Sequence, residues 1–121
     1  MTGIVVFAHG STVESANEAV RAVAAELATR GGYALVETAF LDVQPDLAVA
    51  VDRLAARGAA RIVVIPYFLT LGIHLQRDLP RIVAGLSRIH HNMEIQVTPP
   101  LDGHPVLCDI LLDRAREAGA G

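Results

Sequence analysis

Residues 61–68 read Arg61-Ile62-Val63-Val64-Ile65-Pro66-Tyr67-Phe68. The unbroken β-branched run Ile62 to Ile65 carries no charge. It is too short for an apolar helix and suits a strand buried on both faces. Such strands belong to parallel sheets, whose faces are covered by crossover helices, so helices are expected on either side. Upstream, Pro45 is expected to open a helix as its first residue, with Leu47, Val51 and Leu54 on its apolar face and Gly58 as its stop. Downstream, Asp78 is expected to cap a helix whose face is Leu79, Ile82, Val83, Leu86 and Ile89, with Pro80 tolerated in the first turn.

The same alternation continues outward. Tyr33 to Phe40 reads as a strand, and Gly3 to Ala8 as a short buried one before it. Between them Ala16, Val20, Val23 and Leu27 recur at helical spacing until Gly31-Gly32. Beyond the central segment, Met93 to Val97 is a weaker strand broken by Pro99-Pro100. Asp109 to Ala118 lies in a last helix, with Val106, Leu107, Ile110 and Leu111 expected to face the core. The expected fold class is α/β: a flavodoxin-like, doubly wound sheet of about four parallel strands with helices on both faces, as a single domain over residues 1–121.

Composition narrows the function classes. The chain has 121 residues and 52% are apolar, enough for one core and too few for two ordinary domains. The formal charge is -3, all ten basic residues apart from histidine are arginine, and they form no dense run. With two tyrosines, three phenylalanines and no tryptophan, there is little to stack on bases, so no nucleic-acid partner is expected. No apolar run approaches the roughly 18 residues of a membrane span, and no leader pattern precedes the first strand, so a cytoplasmic protein without a membrane partner is expected. Cys108, the only cysteine, is expected to be a buried, inert thiol.

In an open parallel sheet, ligands bind beyond the carboxyl ends of the strands. Residues that packing does not explain gather there: His9-Gly10-Ser11-Thr12, Leu41-Asp42-Val43-Gln44, Thr70-Leu71-Gly72-Ile73-His74 and Asp102-Gly103-His104. Three of the five histidines fall on this one expected edge, each after a different strand. Neutral imidazole binds Fe, Co, Ni, Cu and Zn, and its ordinary pKa of about 6.5 suits proton transfer near neutrality. Histidines without thiolates make an open site, suited to an ion held briefly, whereas a structural site is closed by four ligands. Gly10 and Gly72 would let a large ligand approach the backbone.

Several residues have an ordinary alternative. Ser11 does not sit in a nucleophile elbow, which needs G-x-S-x-G; it either caps the first helix or offers a hydroxyl to a substrate carboxylate. Asp42 is either a loop cap or a distant acid. His104 is either a turn histidine or a substrate-facing one. His90 and His91 follow the third helix at the opposite edge and read as surface residues. Arg77 and Arg81 either pair with substrate carboxylates or lie on a solvated helix face. Gly10 stands alone, without G-x-G-x-x-G or a Walker pattern, so a nucleotide binder is disfavoured.

Taken together these segments resemble one family. His9-Gly10-Ser11 resembles the opening motif of the CbiX/SirB class II tetrapyrrole chelatases. Pro66-Tyr67-Phe68-Leu69, Gly72-Ile73-His74 and Asp78-Leu79-Pro80 match the family's central motif, and Pro100-Leu101-Asp102-Gly103-His104-Pro105 resembles its closing one. Thr12 stands where the family often has arginine, and Asp102 where glycine is usual. The resemblance, to the short sirohydrochlorin type, implies an enzyme of the lyase class that inserts divalent cobalt, nickel or iron into a tetrapyrrole. It implies His9 and His74 as metal-binding and catalytic residues. Ser11, Phe68, Leu69, Gly72, Ile73 and His104 are expected to face the substrate. No permanently bound cofactor is implied, because the metal is a substrate; the partners implied are sirohydrochlorin, the ion and a second copy in a homodimer. The alternative is a non-catalytic carrier of metal or tetrapyrrole on the same fold.

Overall fold

The computed structural model describes residues 1–121. The elements alternate as β1 (Thr2–Ala8), α1 (Glu14–Gly31), β2 (Val36–Phe40), α2 (Leu47–Ala56), β3 (Arg61–Pro66), α3 (Ile73–Ile89), β4 (Glu94–Val97) and α4 (Leu107–Glu117). The four strands form one parallel sheet in the order β2-β1-β3-β4. Ile4 of β1 is level with Val36 of β2 and with Val63 of β3, and Ile62 of β3 is level with Ile95 of β4. The chain first steps outward from β1 to β2, then returns past β1 to β3. The boundary between β1 and β3 is therefore the topological switch point of this flavodoxin-like sheet.

The core explains why the central run forms a strand. Ile62 and Val64 are fully buried, and they join Val5 and Phe7 of β1 in one cluster with Leu47, Val51 and Leu54 of α2 and Leu75, Leu79 and Leu86 of α3. Ile4, Val6 and Ala8 of β1, pointing the other way, are buried as well. β1 is thus covered on both faces, as a central parallel strand must be.

Three expectations about helices need correction. Pro45 is not the first residue of α2: Asp46 caps it, its carboxylate accepting the Val49 N–H at 3.0 Å, while the Pro45 carbonyl accepts the Phe40 N–H. The side-chain acceptor satisfies an orphan amide, which proline cannot do. Asp78 is not the cap of α3 either. That helix begins at Ile73 with Gly72 as its N-cap, and Pro80 lies inside it. Its buried residues Leu75, Leu79 and Leu86 show that the helical period starts ahead of Asp78. Pro80 offers no N–H to the Gln76 carbonyl one turn before it, so the ladder of α3 lacks that one rung.

The third correction concerns α4. None of its residues is buried, and Val106, Ile110, Leu111 and Leu112 are exposed. Cys108 is exposed too, contrary to expectation. The cause lies in the preceding connection. The N–H groups of Leu101 and Asp102 donate to the carbonyls of Phe68 and Leu69, which ties the chain to the loop after β3. From there α4 starts at the rim without returning over the sheet. No helix is long and apolar enough to cross a membrane.

Candidate functional site

Because every strand is parallel, the loops that follow them share one edge. His9 follows β1, Asp42 follows β2, and Phe68, Leu69, Gly72, Ile73 and His74 follow β3. His104 follows β4. His90 and His91 precede β4 and sit at the opposite edge, as expected.

His9 and Asp42 are joined twice. Past the ends of their strands, the Asp42 N–H donates to the His9 carbonyl at 3.0 Å, and the Leu41 N–H donates to the carbonyls of Ala8 and His9. The side chains meet again, His9 Nε2 lying 2.6 Å from Asp42 Oδ2. Gly10 makes this approach of the two loops possible. Its φ is +84°, and a Cβ there would lie 2.8 Å from Val43 Cγ2 and 3.0 Å from Phe40 Cβ. Only glycine combines that backbone with that closeness. Asp42, which the sequence leaves open between a loop cap and a distant acid, is the side chain that His9 meets. Its signal was the adjacency of β1 and β2, which puts the first residues beyond each strand side by side.

Beside His9 opens a cleft of about 370 Å³, lined by Ala8, His9, Gly10, Ser11, Ala16, Asn17, Val20, Tyr67, Phe68, Leu69 and Leu101. The Phe68 ring centroid is 6.3 Å from that of His9 and 5.9 Å from that of Phe7. One wall is therefore aromatic and aliphatic, and the His9 imidazole, paired with Asp42 outside the lining, is the one titratable group apart from Tyr67 that faces it. Ser11 does not cap α1. The cap position is Val13, which has no side-chain bond, and the Ser11 hydroxyl accepts the Val13 N–H at 3.0 Å. Its backbone is held instead by Asn17, which sequence reading passed over because asparagine in a helical turn is unremarkable by pattern alone.

His74 lies in the first turn of α3, exposed, and not in a free loop. Its Nδ1 faces Arg77 Nη2 at 3.4 Å. Arginine can only donate, so Nδ1 acts as acceptor there and Nε2 has no partner within the chain. Arg77 also donates to Asp78 at 3.0 Å, and this bond holds the Asp78 carboxyl below its ordinary range, assisted by the charges of Arg77 and Arg81. Ile73 is 79% exposed and Leu69 62% exposed, so both present apolar surface to the rim with nothing covering it. The His104 Nδ1 accepts the Val106 N–H at 3.1 Å, which is the local turn bond of the ordinary alternative. Ser11, Phe68 and Leu69 line the cleft with His9; Gly72, Ile73, His74 and His104 do not. No group of three or more His, Cys, Asp or Glu side chains is arranged to hold an ion within one chain.

These features define a doubly wound α/β domain with a cleft at its switch point and imidazole as the distinctive donor beside it. Comparison with known proteins narrows that class. The family model CbiX matches residues 3–118, and the chain belongs to the CbiX family. It is 29% identical over 139 residues to the sirohydrochlorin cobaltochelatase of Methanopyrus kandleri, covering 98% of this chain and 97% of that one. It is 30% identical over 113 residues to the chloroplastic sirohydrochlorin ferrochelatase of Arabidopsis thaliana, covering 93% of this chain and 50% of the other. The crystal structure of a cobalamin (vitamin B12) biosynthesis CbiX protein from Marinobacter aquaeolei VT8 superposes with a TM-score of 0.82, at 26% identity and with 98% and 97% of the two chains covered.

Proposed function

We propose that this chain is a sirohydrochlorin chelatase that inserts a divalent ion, cobalt or iron with nickel as a third candidate, into the macrocycle. The observation that carries the proposal is the His9–Asp42 pair, 2.6 Å apart, whose imidazole lines a largely apolar cleft at the switch point. Relatives along the whole chain with cobaltochelatase and ferrochelatase activity support the substrate class.

Insertion requires an ion shed of part of its water, a ring held so that its nitrogens meet the ion, and removal of two pyrrole protons. A ligating histidine ordinarily donates its other ring N–H to a carboxylate. With Asp42 accepting from Nε2, His9 keeps the Nδ1 lone pair for the incoming ion. One imidazole cannot hold the ion and take a proton together, so His74 shares the work as second ligand or base, through Nδ1 once Arg77 releases it, since with Nδ1 accepting from Arg77 the ring proton sits on Nε2. Phe68, Leu69 and Ile73 offer apolar surface to the ring face. Ser11, Gly72 and His104 stand at the rim where peripheral carboxylates would lie, with Arg77 and Arg81 as charged partners.

The reading includes a homodimer. One chain supplies too few donors to enclose an ion, and α4 leaves Val106, Ile110, Leu111 and Leu112 uncovered. A two-fold pair is the simplest assembly that answers both needs.

The test follows the absorbance change of sirohydrochlorin with each of the three metals. We expect turnover by the parent and a loss of about 10²-fold or more in His74→Ala, the contribution of a general base. Turnover by His74→Ala at the parent's rate removes His74 from the mechanism. Stoichiometric binding by the parent without turnover leaves the carrier reading. The same assay at falling protein concentration tests the pair of chains: activity per chain that does not decline on dilution to the point where sedimentation shows monomers ends the dimer proposal.

A further inference from the structure

Asn17 is the only polar residue of the chain that is buried, at 4% exposure. It belongs to the first turn of α1, and side chains there lean back toward the helix start. Both ends of its amide are used on one residue outside the helix. The Ser11 N–H donates to Asn17 Oδ1 at 2.9 Å, and Asn17 Nδ2 donates to the Ser11 carbonyl at 2.8 Å. Nδ2 also lies 3.3 Å from Glu14 Oε2. Reversing the amide would set donor against donor and acceptor against acceptor, so its orientation is fixed by its partners.

An asparagine near a helix start ordinarily satisfies the helix's own orphan amides. This one does not. The cap position Val13 has no side-chain bond, and Asn17 spends both ends of its amide on a loop residue two positions upstream of the cap. What it holds is the segment that begins at His9. The other end of that segment is fixed by the sheet, through the bonds from Leu41 and Asp42 to the His9 carbonyl. Gly10 sits between the anchors with no space for a side chain.

We infer that Asn17 is a positioning residue for His9: its two bonds to the Ser11 backbone set the loop after β1 so that the His9 imidazole meets Asp42. The inference rests on the chelatase reading for its purpose, and on loop geometry alone for its substance. Asn17 touches neither ion nor macrocycle in this role. It acts through Ser11 and Gly10, in the manner of outer-shell partners that orient a ligand.

Three variants test it: Asn17→Ala, which removes both bonds; Asn17→Asp, which keeps an acceptor for the Ser11 N–H and loses the donor to its carbonyl; and Leu86→Ala, a core loss at the far end of α3. The first readout is the imidazole NMR spectrum of the metal-free protein, with His90 at the opposite edge as internal reference. We expect the His9 resonances to move in both Asn17 variants while those of His90 stay in place. The second readout is affinity for Co(II) alone by competition with a chelator. It should fall by about tenfold or more in Asn17→Ala, less in Asn17→Asp, and not at all in Leu86→Ala despite its lower melting temperature. If Asn17→Ala does not fold, Asn17→Asp decides. Unmoved His9 resonances in a folded Asn17 variant overturn the inference, as does an equal loss of affinity in Leu86→Ala. The metal-free spectrum is independent of turnover, so an inactive parent would refute the chelatase reading while leaving this result standing.

Discussion

The molecule holds two imidazole–carboxylate pairs of nearly the same length, one at each edge of the sheet. His9 Nε2 lies 2.6 Å from Asp42 Oδ2, and His90 Nε2 lies 2.7 Å from Asp52 Oδ1. Their surroundings separate them. His9 is 64% exposed at the mouth of the cleft, beside Phe68 and a glycine that admits close approach. His90 is 19% exposed, closes α3 as its C-cap and ties that helix to Asp52 of α2. A short hydrogen bond between histidine and aspartate therefore identifies no function by itself. What distinguishes the rim pair is an open ring, apolar surface beside it and a loop fixed from both ends.

The largest expected effect that could break this comparison is on turnover. His9→Ala should lose about 10²-fold or more in insertion rate, and His90→Ala should keep the parent's rate. Equal losses in the two would mean that the pairs are not different in kind. A smaller effect sharpens the role of the carboxylates. Asp42→Asn should weaken Co(II) binding by about tenfold, because the amide no longer takes the imidazole N–H as a charge would, and Asp52→Asn should leave it unchanged. The order reverses for stability: Asp52→Asn and His90→Ala should each lower it by about 0.2–1 kcal/mol, the range for partly exposed ion pairs. Thermal melts decide that point, and a rim variant that melts lower than the far-edge variants would contradict it.

Much of the fold was legible in the sequence because period and burial agree. Ile62 to Ile65 announces a strand, although only Ile62 and Val64 are sealed and Val63 and Ile65 on the other face are half-buried, and Leu47, Val51 and Leu54 announce a helix face. The start of α3 was less legible. Gly72 and Pro80 both read as breaks, and only tertiary burial of Leu75 carries the helix back through His74. α4 was misjudged for a related reason. Its apolar stripe is real, but pattern cannot say whether a stripe meets its own sheet, and backbone bonds from Leu101 and Asp102 send it elsewhere. At the rim, topology brought the histidine loops to one edge as expected. The pairing of His9 with Asp42 and the grip of Asn17 on Ser11 depend on distances between loops, for which a linear pattern holds no record.

Pro80 thins the hydrogen bonding of α3 where His74 stands. The Gln76 carbonyl has no N–H to accept one turn on, and it is the burial of Leu75 in the core that holds the first turn in place. Deuterium should enter the amides of the first turn well before those of the last. Pro80→Ala, by mending the ladder, should steady the protein, a gain that thermal melts would read.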